Sequence, residues 1–249
     1  SPGGSISVRV RGMGSPNGGE PLYVVDGVLT SNVKGIDPNN IESINILKDA
    51  SAAGIYGAAG STNGVVLITT KKGKKGKSTT EINYYGGVQQ IVRKLPVLNN
   101  SQWLDLQKEI LRTDPGVPNY YDLKGTNNNW QDLIYRTAAQ SSVNVSTSGG
   151  SDTGTYYLGI GHLKQEGIIQ ESNYERYTAN LSVTQDVNKS IKMGGSINYD
   201  RTNQRSIKDN ASANFGGVVL SALVTPEYIP IKMPSNAPIP GVYGVSNYY

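Results

Sequence analysis

The sequence predicts a small mixed α/β unit followed by antiparallel, membrane-type β-strands, and three observations carry that prediction. Residues 21–76, PLYVVDGVLTSNVKGIDPNNIESINILKDASAAGIYGAAGSTNGVVLITTKKGKKG, mix short apolar runs with small-residue turns. Beyond them, segments of about ten residues alternate apolar and polar positions, the signature of strands with one face in lipid. The connections between those segments alternate long and short, as strands crossing a membrane require.

Composition limits the alternatives. The chain of 249 residues holds 30 Gly, 16 Tyr and one Phe, proportions that favour β architecture. No run of 18 apolar residues occurs, which excludes a transmembrane helix but not a barrel, whose lipid-facing residues fall at every second position. Without cysteine there is no disulfide framework and no thiolate metal site. The formal charge of +4 is outweighed by five lysines in one place, Lys71, Lys72, Lys74, Lys75 and Lys77. Such a block reads first as a solvated linker, and second as a contact for lipid phosphates. Nucleic acid is not expected as a partner, because no aromatic residue interleaves the run. The chain opens at Ser1 with no basic n-region and no apolar h-region.

In the first unit, residues 5–11 alternate Ile6, Val8 and Val10 with Ser7, Arg9 and Arg11, a half-buried strand, before Gly12 and Gly14 break the pattern. The run 21–25 ends in Asp26-Gly27, a dipeptide that accepts positive φ and predicts a hairpin into Val28 and Leu29. Asp37 followed by Pro38 predicts a capped helical turn reaching Glu42, and residues 43–47 resume as a strand. Asp49 is placed to cap a second turn over residues 50–55, closed by Gly57 and Gly60, before an apolar strand over 64–70.

From Thr79 onward the period is two. Ile82, Tyr84, Gly86 and Val88 share one face; so do Val143 and Val145, then Tyr156, Leu158 and Ile160, then Tyr177, Ala179, Leu181 and Val183, then Ile191, Met193, Ile197 and Tyr199. If the first strand runs outward, residues 90–139 form a long outer loop, 149–153 an inner turn, 164–174 an outer loop, 186–189 an inner turn, and the chain is outside again from Asn203. The first outer loop carries two helical patterns, 101–112 with Ser101 as N-cap and 130–137.

Catalytic motifs are weak. GKKGKS at 73–78 lacks the glycine a phosphate-binding loop needs, which here is Lys71. His162 is the single histidine and has no nucleophile elbow or metal-ligand spacing beside it, so a hydrolase is a distant alternative. A β-rich recognition or adhesin module without transport is the other competing class, and it would fold without detergent.

VRVRGMGS, PLYVVDGV, DPNNIESINILKDASAAGIYG and NGVVLITTKKGKKG, in this order, resemble the plug domain of SusC/RagA-type TonB-dependent outer-membrane transporters of Bacteroidetes. WQDLIYRTA, VSTSGGSDTGTYYLGIG and YERYTANLSV resemble the first barrel strands of the same family. The resemblance implies a plug over residues 1–72, a basic linker over 73–78, and the start of an antiparallel transmembrane barrel with extracellular loops over 79–249. Family barrels have about 22 strands, the size that encloses a plugged lumen; this chain would supply about five, and the TonB-contacting segment would precede Ser1. It implies TonB-driven import of an oligosaccharide or peptide with a SusD-like surface lipoprotein as lid, outer-membrane lipid around the barrel, and no cofactor, metal or catalytic residue. Arg11 and Lys48 match positions where related plugs carry cations that dock on the barrel wall. Tyr120, Tyr121 and Trp130, in the long outer loop, are candidates for ligand contact.

Overall fold

Asp26 and Gly27 turn the chain at φ 48° and 89°, both in the left-handed region, and so join β1 (Leu22–Val25) to β2 (Val28–Thr30) in the predicted hairpin. In this computed structural model, residues 2–4, 20–30, 33, 35–49, 53–57, 63–111, 127–207, 217–229 and 231 are described. The expected strand over 5–11, with Arg11, Gly12 and Gly14, lies outside them, as do Tyr120 and Tyr121.

Two further strands complete a small mixed sheet. β3 (Ile41–Leu47) is antiparallel to β4 (Val65–Thr70), β4 is parallel to β1, and the order is β2-β1-β4-β3. β4 is apolar at successive positions because it is covered on both faces. Val66 and Ile68 pack with Tyr23 on one side, and Val65 packs with Val24 and Ala53 on the other. The Asp26 carboxylate ties the hairpin to the end of β4 by accepting from Thr70 N at 2.9 Å and Thr70 Oγ1 at 2.6 Å.

The turn after Asp37 is shorter than expected. It is a single 3-10 turn, Pro38–Asn40, and Ile41 already belongs to β3. Asp37 caps it as predicted, accepting from Asn39 N at 2.9 Å, with Pro38 at the first position. At the second turn, Ala53 N donates to Asp49 O at 2.9 Å, and Gly57 follows at φ 90°.

Tyr23 supplies a pH-dependent element. Burial, and then the nearby Glu20 charge, raise its phenol pKa above the ordinary value. A raised phenol pKa adds stability that is complete below about pH 10 and is lost as pH rises through the higher folded value. Alkaline melts followed by circular dichroism should show a decline starting above about pH 10, and Tyr23→Phe should flatten it; an identical decline in that variant would rule Tyr23 out as its source.

The second sheet holds β5 (Gly76–Gln89), β6 (Ala138–Gly150), β7 (Gly154–Glu166), β8 (Asn173–Asp186) and β9 (Lys192–Arg205), antiparallel and in sequence order. Register converts the local alternation into rows across the sheet. Ile82, Val145, Ile160, Ala179 and Tyr199 form one row, and Leu158, Leu181 and Ile197 lie on the same face. The opposite face carries the row Asn83, Asn144, Gly161, Thr178 and Asp200, and the row Glu81, Ser146, Gly159, Asn180 and Asn198. One face is apolar and the other polar, as a strand between lipid and a lumen needs. At 13 or 14 residues each, the strands exceed the expected ten. Their ladders run on past the apolar band into rows such as Lys164–Glu175–Asn203, where the backbone still pairs but the side chains suit water.

Unit 1 comprises residues 1–89, 138–167 and 171–206, and both sheets belong to it. Unit 2, residues 90–137, 168–170 and 207–249, contains α1 (Asn100–Leu111), α2 (Trp130–Ile134) and α3 (Val218–Val224). α1 starts one residue earlier than expected and its cap is Asn99, not Ser101. Gln102 N donates to Asn99 Oδ1 at 2.9 Å while Asn99 N donates to Gln102 Oε1 at 3.1 Å, a reciprocal capping pair that outcompetes a lone serine. α2 ends at Ile134, short of the expected 137, because Tyr135 turns extended and bridges to Ile169.

Candidate functional site

The polar face of the five-stranded sheet receives the Asp37 turn of the small sheet. Asp37 is buried; its Oδ2 accepts from Asn144 Nδ2 on β6 at 3.1 Å and lies 3.5 Å from Thr178 Oγ1 on β8. Three residues on, Asn40 Oδ1 accepts from the Tyr157 hydroxyl of β7 at 2.8 Å. Both sides are buried, so each bond replaces water that cannot reach the groups.

The wall is notched where the turn sits. On β7, Gly159 and Gly161 alternate with Leu158, Ile160 and His162, leaving no side chain on the polar face opposite Asn40 and Asp37. A Cβ on Gly161 would overlap Asp37 Oδ2 and lie 2.6 Å from Thr178 Oγ1; one on Gly159 would lie 2.5 Å from Asn40 Oδ1. These glycines are therefore needed for close approach.

A second attachment follows β4. Lys71 N donates to Asn40 O at 2.8 Å, and Gly73 crosses β7 so closely that a Cβ there would lie 2.6 Å from the Tyr156 carbonyl carbon. Around that crossing Lys71 pairs with Glu81 at 3.7 Å, Lys74 with Glu42 at 3.2 Å, and Lys75 Nζ donates to Asp152 O at 2.6 Å. The basic stretch is solvated, with Lys72, Lys74, Lys75 and Lys77 exposed, while its backbone passes close to β7 at Gly73, and β5 begins inside it, at Gly76. Exposure to solvent keeps each ion pair weak; the close backbone crossing is the stronger constraint.

Of the residues singled out from sequence, Lys48 lies exposed directly after β3. Trp130 opens α2, half-buried, and its indole Nε1 donates to Pro226 O at 3.1 Å. Asn128 continues that attachment, its Nδ2 donating to Ile229 O at 2.7 Å. Sequence reasoning missed Asn144, Tyr157, Thr178 and the two notch glycines. The legible signal was Gly-x-Gly at alternate positions of a strand, 159 and 161, where no turn is wanted. Among the described residues no group of three His, Cys, Asp or Glu side chains is placed to hold a metal.

Comparison with known proteins agrees with this architecture. Residues 1–65 match the family model described as TonB-dependent Receptor Plug Domain. The chain is 34% identical over 229 residues to TonB-dependent receptor P39 of Formosa agariphila, covering 88% of this chain and 22% of that protein. It is 35% identical over 195 residues to TonB-dependent receptor SusC of Bacteroides thetaiotaomicron, covering 74% of this chain and 19% of that one. The chain thus spans about a fifth of the length of these relatives. Among solved structures it resembles the RagAB peptide transporter, with a TM-score of 0.76, 31% identity, and coverage of 89% of this chain and 29% of that chain. With a plug-type sheet seated on the polar face of consecutive antiparallel barrel strands, this chain belongs to the SusC/RagA family of TonB-dependent transporters.

Proposed function

We propose that this chain works as the plug and first five barrel strands of an importer that carries an oligosaccharide or peptide across the outer membrane of a Gram-negative bacterium. Residues 1–72 act as the plug, 73–78 as its tether, and 79–249 as the start of the barrel with its outer loops. The observation that supports this most directly is the wall itself, apolar on one face and polar on the other, with Asp37 and Asn40 of the small sheet held on the polar face. A sheet so arranged is suited to lipid outside and a stoppered lumen inside.

In this reading a SusD-like lipoprotein closes over captured ligand, and TonB, powered by the proton gradient, pulls the plug away from the wall. Arg11 and Lys48 are proposed as additional docking cations, and Tyr120, Tyr121 and Trp130 as ligand contacts at the barrel mouth. Peptide cargo is supported by the neighbour described as a peptide transporter, and the chain's part in transport is mechanical, not enzymatic.

Deleting the gene should abolish accumulation of one class of labelled oligosaccharide or peptide by intact cells. Dissipating the proton gradient in the parent strain should stop the same accumulation within minutes. Uptake that survives either treatment would contradict active import by this protein.

A further inference from the structure

We infer that Gln165, Tyr174 and Gln204 form a binding site for one peptide unit on the polar face of the wall, filled in this structure by the chain's own Pro2–Gly3 unit and open to takeover by a cargo peptide. The three residues make a single row across β7, β8 and β9, since Gln165 is paired with Tyr174 and Tyr174 with Gln204. Gln204 Nε2 donates to Pro2 O at 2.8 Å, and Gly3 N donates to Gln165 Oε1 at 3.3 Å. That carbonyl and that N–H belong to one peptide unit, and in a trans unit they point in opposite directions. The two glutamines therefore grip it from either side of Tyr174.

Tyr174 is the floor of the site. It is 5% exposed, and a Cβ on Gly3 would overlap its ring; Gly3 also stands at φ 65°, in the left-handed region. The wall makes room for the proline as well, because a Cβ on Gly167 would lie 2.7 Å from Pro2 Cγ. Pro2 has no N–H and Gly3 has no side chain, so the glutamines address the main chain alone. A glutamine amide offers both a donor and an acceptor. Here one residue uses its donor and the other its acceptor, the pair that a single peptide unit needs. Selectivity then falls on the residue after the gripped carbonyl, which has to be glycine. Both bonds are only partly buried, unlike the Asp37–Asn144 pair, so a competing peptide can reach them. Resting on the import reading above, this narrows the cargo to peptides that contain glycine.

The test uses the full-length transporter in detergent and a probe that copies residues 1–4, acetyl-Ser-Pro-Gly-Gly-amide, titrated calorimetrically. A tethered occupant competes at an effective concentration on the order of 1 mM, so the wild-type protein should bind the probe weakly. Gly3→Val drives the chain's own segment off the Tyr174 ring and should tighten probe binding about tenfold or more, a gain that a misfolded variant cannot imitate. Adding Gln165→Leu or Gln204→Leu to Gly3→Val should remove the gain. A probe with valine at its third position should not bind, and neither should maltotriose, which has hydroxyls but no peptide unit. Probe binding no tighter in Gly3→Val than in wild type, a gain that survives both leucine changes, or equal binding of the valine probe or maltotriose would overturn the site. Binding is read on purified protein without uptake, so a failure of import in cells and a failure of this site are separate results.

Discussion

Asp37→Ala should release the plug from the wall, at a cost of about 4 kcal/mol, summing a lost helix cap with buried amide groups left unpaired. The carboxylate serves two structures at once. Its Oδ1 caps the 3-10 turn through Asn39 N, and its Oδ2 accepts from Asn144. Asn144 is only 1% exposed and its own Oδ1 already lacks a partner among the described residues, so the truncation leaves the whole amide unsatisfied in the wall. Asp37→Asn should behave very differently. It keeps the cap, and Asn144 can rotate its amide so that the unpartnered Oδ1 accepts from the new NH₂ while the seat is retained. Cells carrying the full-length Asp37→Ala transporter should become permeable to large hydrophilic antibiotics, and those carrying Asp37→Asn should stay close to wild type. Equal permeability in the two variants would show that the buried pair does not hold the plug.

Gly73→Val should be about as damaging, and here the obstacle is backbone. A side chain at this position meets the N, C and O atoms of Tyr156, and Tyr156 is held in register between Gly149 of β6 and Val183 of β8. A carboxylate in the way can rotate; a strand paired on both sides cannot. The linker must therefore lift off the wall, and the contacts of Lys71, Lys74 and Lys75 go with it. The expected cost is about 3–5 kcal/mol, in the range reserved for steric disruption of packed structure, and the folded transporter should become sensitive to trypsin within residues 71–77. Gly54→Ala is the control. Nothing lies within 4 Å of the added methyl there, so stability should change by no more than about 0.5 kcal/mol. A Gly73→Val protein as trypsin-resistant as wild type would show that the linker has room to spare.

Much of the fold was legible because its signals are local. The Asp26-Gly27 turn, the capped turn at Asp37-Pro38 and the five alternating stretches depend on residues a few positions apart, and the structure contains each of them. Errors came where two local signals competed. Ser101 looked like the cap of α1, but Asn99 and Gln102 satisfy each other's backbone and take the role. Charge density in the lysine block reports its solvation, whereas the close passage of Gly73 over Tyr156 is a tertiary fact.

The sequence by itself determined which side chains share the apolar face of the five-stranded sheet and which share the polar face, since a period of two assigns every residue of a strand to one face without reference to any other part of the chain. Only the tertiary structure decided what the polar face holds. Asp37 meets Asn144 across 107 residues and Thr178 across 141, and Asn40 meets Tyr157 across 117. Those meetings depend on the register of three strands at once. A one-residue slip would turn Asn144, Tyr157 or Thr178 to the opposite face, and no local pattern in the chain records which partner waits there.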